Sequence, residues 1–322
     1  MQGQTSGKPA NPLSEYLGAL ANVVGRYATD LNRQVHLIAE SDLNDPRVLR
    51  TPELGGMGLH AQWADDLHHC IFTLLAGEEC PYHKDYSQFE LLVNAYQHGY
   101  AYTGQFSATR ERRHGTATNR STCRVASSWC ASRTTTRLAI ESSGSGSTRW
   151  WASRPRSSRR PPSCKEEFKM SGGDDPPDPQ AEATFRRSVL NRDQRRSGKH
   201  KVLWDFYRET LRLRRESPSL RFPDKERMRL TTFPEYGTMA VERWDGDDET
   251  LIVMNLSDRP AEVRVTLLGG AWRRDLDSAA GEWLGPGSTA PPVLVAHSEV
   301  TLTLAPTSAV VYSFQVEPFT HR

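Results

Sequence analysis

The sequence predicts an α/β region followed by an antiparallel β domain, with an anomalous stretch between them. Three observations carry this. Residues 13–113 alternate helical apolar spacing with short apolar runs. Residues 228–316 alternate with period two between turn clusters. Residues 114–164 show neither pattern and are dominated by Ser, Arg and Thr.

The first predicted element is a helix in LSEYLGALANVVGRYATDL, with Leu17, Leu20, Val23 and Val24 at helical spacing. QVHLIAESDLNDP follows. Its run from Val35 to Ala39 reads as a parallel strand buried on both faces, closed by a turn at Asn44, Asp45 and Pro46. GLHAQWADDLHHCIFTLLAG reads as strand, loop and helix. Leu67, Cys70, Ile71, Leu74 and Leu75 form the stripe, and Gly77 is the expected C-cap. FELLVNAYQHGYAY adds a helix. Beyond the anomalous stretch, a polar loop leads to KVLWDFYRETLRLRRESP. This helix places Leu203, Phe206, Tyr207, Thr210 and Leu211 on one face and is closed by Pro218. TMAVERW, TLIVMNLS, AEVRVTLL, VLVAHSEVTLTLA and AVVYSF supply the strands of the β domain. The expected divisions are 1–113, 114–164, 165–222 and 228–322.

Composition narrows the function classes. The 322 residues carry a net charge of only +2, which points to neither nucleic acid nor an anionic membrane as partner. No apolar run is long enough to span a bilayer, and the opening MQGQTSGKPANP lacks a signal-peptide pattern. The five Cys lack CxxC spacing, so a reducing cytoplasm is the expected location, without a disulfide framework or zinc site.

Several side chains are candidates for chemistry. Glu40 stands where an apolar strand ends, the place where a barrel of parallel strands carries catalytic groups. A partly apolar site there would keep a carboxyl protonated for use as a general acid. Position alone fits a solvated loop Glu better than a catalytic one, and Asp42 and Asp45 fit that reading more strongly still. Asp65, Asp66, His68 and His69 cluster, but adjacent His residues diverge on a helix and no HExxH spacing occurs, so core packing and N-terminal acidity compete with metal binding. Trp63 suits a sugar platform or a barrel filler. Arg113 and His114, within RERRH, suit a solvated loop or contacts with sugar hydroxyls or phosphate.

Taken as longer words, VHLIAESDLNDPRV, GLHAQWADDLHH, the RRHG at 112–115, DPQAEATFRRSVLN and FYRETLRLRRESPSL resemble the malto-oligosyltrehalose trehalohydrolases of the α-amylase superfamily. The resemblance covers most of residues 35–115 and 176–316. It implies a partial (β/α)8 TIM barrel followed by a small C-terminal antiparallel β-sandwich. It implies hydrolysis of the α-1,4 bond beside the terminal trehalose of a maltooligosyl-trehalose, an α-1,4-glucan type of substrate, with no cofactor and no metal. It assigns Glu40 the role of general acid/base and places Trp63, Asp65, Asp66, His68, Arg113 and His114 near substrate. The family's nucleophilic Asp and its transition-state Asp, the latter in a QNHDQVGNR word, are not present in this chain.

The anomalous stretch accounts for one of these losses. With ordinary codons for residues 132–141, triplets read from the third base of each codon spell Gln-Asn-His-Asp-Gln-Val-Gly-Asn-Arg, the missing word. Residues 114–164 thus read as a frameshifted translation. A natural polar linker and an Arg/Ser-rich nucleic-acid segment are the competing readings. Two function classes follow: a glycoside hydrolase by descent that is inactive as written, and a non-catalytic remnant whose β domain folds and binds glucan.

This composition offers too little apolar surface to offset a conformational entropy of roughly 1–2 kcal/mol per ordered residue. Limited trypsin digestion is expected to cut first between Arg112 and Lys165 and to leave a resistant C-terminal fragment from about Arg215. A resistant core running through 114–164 would remove the frameshift reading.

Overall fold

The computed structural model describes residues 12–76, 85–115, 180–189, 191–221 and 224–315. Gly77, the expected cap, and nearly all of the anomalous stretch lie outside the described residues.

Helix α1 spans Pro12–Asp30. Its Leu17 packs on a small cluster of Val48, Leu49, Met57 and Leu59. Leu20 and Val23, expected to share that inward stripe, are exposed instead. Strand β1 (Ile38–Ala39) pairs in parallel with β2 (Ala61–Gln62), Ile38 opposite Ala61 and Ala39 opposite Gln62. The strand is shorter than its apolar run, and Val35 is exposed. A parallel strand needs neighbours to continue its ladder, and among the described residues β1 has only β2.

Helices α2 (Asp65–Ala76) and α3 (Phe89–His98) bury Leu67, Cys70 and Ile71 against Phe89, Leu92, Ala95 and Tyr96. Gly99 ends α3 with φ of 90°, a conformation open to glycine, and donates its N–H to the Ala95 carbonyl. A short hairpin, β3 (Phe106–Ser107) and β4 (Arg112–Arg113), follows. After the undescribed stretch come α4 (Glu182–Ser188), α5 (Gly198–Glu216) and α6 (Pro218–Arg221). Pro218 does follow the end of the long helix, and it also opens the next.

The C-terminal region is built on a six-stranded antiparallel sheet in the order β10-β9-β12-β7-β6-β5. The strands are β5 (Met228–Phe233), β6 (Thr238–Asp245), β7 (Asp248–Asn255), β9 (Gly270–Asp277), β10 (Val293–Ala296) and β12 (Ser308–Gln315). A second sheet pairs β8 (Ala261–Thr266) with β11 (Glu299–Leu304). The run VLVAHSEVTLTLA is therefore two strands in different sheets. β5 and β9 were not anticipated; β9 turns only a few apolar side chains inward, led by Trp272 and Leu276 among Arg and Asp.

Period-two alternation predicts one buried face per strand, but the central strands bury both. On one face Ala240, Leu251, Val253, Val310 and Tyr312 meet Val263, Val265, Leu302 and Leu304 of the smaller sheet. On the other, Met239, Val241, Ile252, Met254 and Val311 join a single core with α2, α3 and α5. Phe206 of α5 is fully buried there, edge-on to Trp283 with ring centroids 5.2 Å apart. The inward line of α5 is Phe206, Thr210 and Leu213, and Tyr207 and Leu211 are exposed one line around the helix. A C-terminal fragment starting after Arg215 would lose that cover, so the β domain does not own its whole core.

Phe206→Ala is expected to lower the unfolding free energy by about 3–5 kcal/mol, and Tyr207→Ala by less than about 1 kcal/mol. Urea denaturation of the two variants reads the difference; equal losses would show that Phe206 does not join the two regions.

Candidate active site

The site is assembled on the loop that leaves β1. Glu40 is exposed, and its carboxylate makes no hydrogen bond or ion pair with any described residue. Two residues on, the exposed Asp42 carboxylate accepts from Arg110 Nη2 at 3.4 Å. Asn44 turns the chain with φ of 52°, a left-handed value that Asn tolerates. The loop then enters the turn Pro46–Val48, where Asp45 accepts from the Arg47 N–H at 3.0 Å and from its guanidinium. Burial alone would raise the Asp45 carboxyl; the hydrogen bonds and charge of Arg47 outweigh it and hold the carboxyl below its ordinary value.

Two tethers fix this loop from below. Gln62, at the end of β2, donates to the Ser41 carbonyl at 2.8 Å and accepts from the Tyr100 hydroxyl at 2.9 Å. Asp66, in the first turn of α2, is only 5% exposed. Its carboxylate accepts from Asn44 Nδ2 at 2.5 Å, the Ala101 N–H at 2.8 Å, the Tyr102 N–H at 3.3 Å and the Tyr86 hydroxyl at 3.1 Å. Three of these donors meet Oδ2 and one meets Oδ1. Asp66, expected beside substrate, is an anchor for three loops.

Tyr86 continues the chain of polar contacts. Arg110 Nη1 donates to its oxygen at 3.3 Å, so a path of contacts runs from Asp66 through Tyr86 and Arg110 to Asp42. Burial, reinforced by the charge of Asp66, pushes the Tyr86 hydroxyl well up and keeps it a donor.

His114 is buried at 4% exposure and lies edge-on to Tyr102, ring centroids 5.6 Å apart. Its backbone N–H donates to the Gln105 carbonyl at 2.9 Å, and its ring Nε2 has no hydrogen-bond partner among the described residues. Burial, with the charge of Arg110 beside it, lowers its affinity for a proton. Gly115 follows with φ of 76°; a Cβ there would meet the Tyr102 carbonyl oxygen at 2.1 Å, which explains the glycine.

The other expected residues divide. Trp63, 48% exposed, stands at the end of β2, beside the strand that ends in Glu40. Asp65 opens α2. His68 is half-buried in α2, its ring 6.3 Å from that of Phe72. Arg113 is exposed and donates to the Gly104 carbonyl at 3.0 Å. Among the described residues, no cluster of three or more His, Cys, Asp or Glu is placed to hold a metal. Gln62 and Tyr86 escaped the sequence reading, whereas Asn44 was read only as a turn residue and Arg110 only as part of the RERRH word.

No family model matches the chain. Curated relatives do. The malto-oligosyltrehalose trehalohydrolase of Mycobacterium tuberculosis is 33% identical over 291 residues, covering 78% of this chain and 50% of the relative. That of Deinococcus radiodurans is 30% identical over 313 residues, covering 79% of this chain and 51% of the relative. The chain thus spans about half the length of the curated relatives it matches. Among solved structures, a putative α-amylase from Salmonella typhimurium superposes with a TM-score of 0.61 at 21% identity, over 96% of this chain and 55% of that one. This likeness places the fold among the α-amylase enzymes, and no helix among the described residues is long and apolar enough to cross a membrane. Identity across more than three quarters of the sequence makes the chain a member of the malto-oligosyltrehalose trehalohydrolase family.

Proposed function

We propose that the chain carries part of the glycosidase site that releases trehalose from maltooligosyl-trehalose, on a partial (β/α)8 barrel followed by a C-terminal β-sandwich. The observation that carries this is Glu40 at the end of a parallel strand, on a loop held by Gln62 and by the Asn44–Asp66 contact. The divisions follow the expected ones, with barrel residues in 1–113 and 165–222 and the sandwich in 228–322. A cytoplasmic location fits the composition.

In this reading Glu40 is the general acid/base. Its carboxyl proton passes to the glycosidic oxygen as the bond to the anomeric carbon breaks. The carboxylate then takes a proton from the water that attacks that carbon. Trp63 offers its exposed ring to a sugar face, and Asp65, Arg113 and His114 remain candidates for hydroxyl contacts. Asp66 and His68 act from behind, the first by fixing the loop and the second by packing within α2.

The chain as written is proposed to be inactive. Retaining glycosidases set the acid and the nucleophile about 5–5.5 Å apart on two carboxyl groups. The family word that carries the transition-state Asp is absent in this frame, and no nucleophile word is found. The remnant reading, a β domain that binds glucan, has no structural observation in its favour, and the domain's shared core counts against its standing alone.

With the frame restored and the missing half of the relatives' length supplied, Glu40→Gln is expected to lower kcat on maltooligosyl-trehalose by about 10²–10⁴-fold; undiminished turnover would take Glu40 out of the mechanism. The purified chain is expected to release no trehalose above a Glu40→Gln control, as read by a coupled trehalose assay. Release above that control would mean that another carboxylate completes the site.

A further inference from the structure

The strand that carries Glu40 has little to fix its register. β1 and β2 align two residues each, Ile38 opposite Ala61 and Ala39 opposite Gln62. Burial of alternate side chains is the usual determinant of register. Here Leu37, Ile38 and Ala39 are all half-buried, so burial separates the two faces poorly. A slip of one residue would turn Glu40, which directly follows Ala39, to the opposite face. His60 supplies what burial does not. It immediately precedes β2 and makes two contacts with Leu37, the residue immediately before β1. Its backbone N–H donates to the Leu37 carbonyl at 3.0 Å, and its ring Nδ1 accepts from the Leu37 N–H at 3.1 Å. A backbone amide only donates, so Nδ1 presents its lone pair to Leu37. The His36 ring stands edge-on to that of His60, with centroids 5.5 Å apart and planes at 81°. The pinch exists in one register only. A shift of β2 by one residue would bring Leu59 or Ala61 to the place of His60, and neither side chain accepts a hydrogen bond.

We infer that His60 is a positioning residue for Glu40. Its reciprocal contacts with Leu37 fix the register of β1 on β2, and that register decides the face on which Glu40 emerges. The constraint passes along the strand pair to the Trp63 N–H, which donates to the Ala39 carbonyl at 2.9 Å, beside Glu40. Gln62 and Asp66 act on the other side, at Ser41 and Asn44, so His60 holds the entry to the strand while they hold the exit. The functional weight of this placement rests on the reading of Glu40 as general acid. The test reads backbone geometry rather than turnover, so the two can fail separately.

The test uses the full chain labelled with 15N. A two-bond 15N–15N coupling between the Leu37 amide nitrogen and His60 Nδ1 is expected, carried through the N–H···N hydrogen bond; its absence would overturn the inference. In His60→Ala, the Leu37 and Trp63 amides are both expected to exchange with solvent at least about fivefold faster, with the Leu92 amide in the core of α3 unchanged. In His60→Asn, the side-chain Oδ1 takes the place of Nδ1, and both amides are expected to return to within about twofold of the unmodified chain. Faster exchange at Leu37 alone would show that the contact does not reach Glu40, and the inference would fall. It would fall equally if His60→Asn left both amides as loose as His60→Ala, since the effect would then belong to the bulk of the ring and not to its acceptor.

Discussion

The central strands β6, β7 and β12 are buried on both faces over most of their length, and the rest of the architecture follows from that constraint. A sheet buried on both faces requires two separate covers. The β8–β11 pair covers one face and the helices α2, α3 and α5 the other. The run TLIVMN in β7 is apolar at successive positions for this reason: Leu251 and Val253 face one core, Ile252 and Met254 the other. The region that carries Glu40 and the C-terminal sheet are thus two sides of one packing problem. Phe206 and Trp283 lie at their junction.

Asp66 plays the corresponding part within the site. A carboxylate taken out of water is costly unless donors surround it, and here two backbone N–H groups, an amide and a phenol do so. The loops keep their course because Asp66 receives their donors. Without it, the Ala101 and Tyr102 N–H groups would each lose a charged acceptor, at about 1–3 kcal/mol apiece. Asn44 would lose its anchor four residues from Glu40. The course of the loop that carries Glu40 is therefore set from α2 and from the segment after α3, not from its own strand, which is only two residues long.

Such long-range anchoring is what the sequence conceals. The turn at 44–46 was legible because Asn, Asp and Pro each bias the local backbone. The stripe of α2 was legible because burial there follows helical period. From its residue type and place, Asp66 read as core packing or helix N-terminal acidity, and only the family resemblance set it near substrate; its partners Tyr86 and Tyr102 are distant in sequence and could not be read from its surroundings. The face of α5 was misplaced by one line because Tyr207 and Leu211 are as apolar as the residues that do turn inward. β9 escaped because its alternation is carried by only a few apolar side chains, and Asp277 is buried by pairing with Ser288 and the Ala279 N–H rather than by hydrophobicity. The long words around Glu40 and Trp63 were legible for a different reason: they match the family directly, without any prediction of structure.

Glu40 is held in place without being enclosed. Its side chain is exposed, and among the described residues the edge of β1 away from β2 has no partner. A two-residue ladder gives the loop few backbone hydrogen bonds of its own, so the tethers must come from side chains. Gln62 ties the loop at Ser41, one residue past Glu40, and Asp66 ties it at Asn44. The two tethers belong to different elements, β2 and the first turn of α2. The direction in which the loop leaves β1 thus depends on how β2 and α2 are set, and a shift of either would carry Glu40 with it.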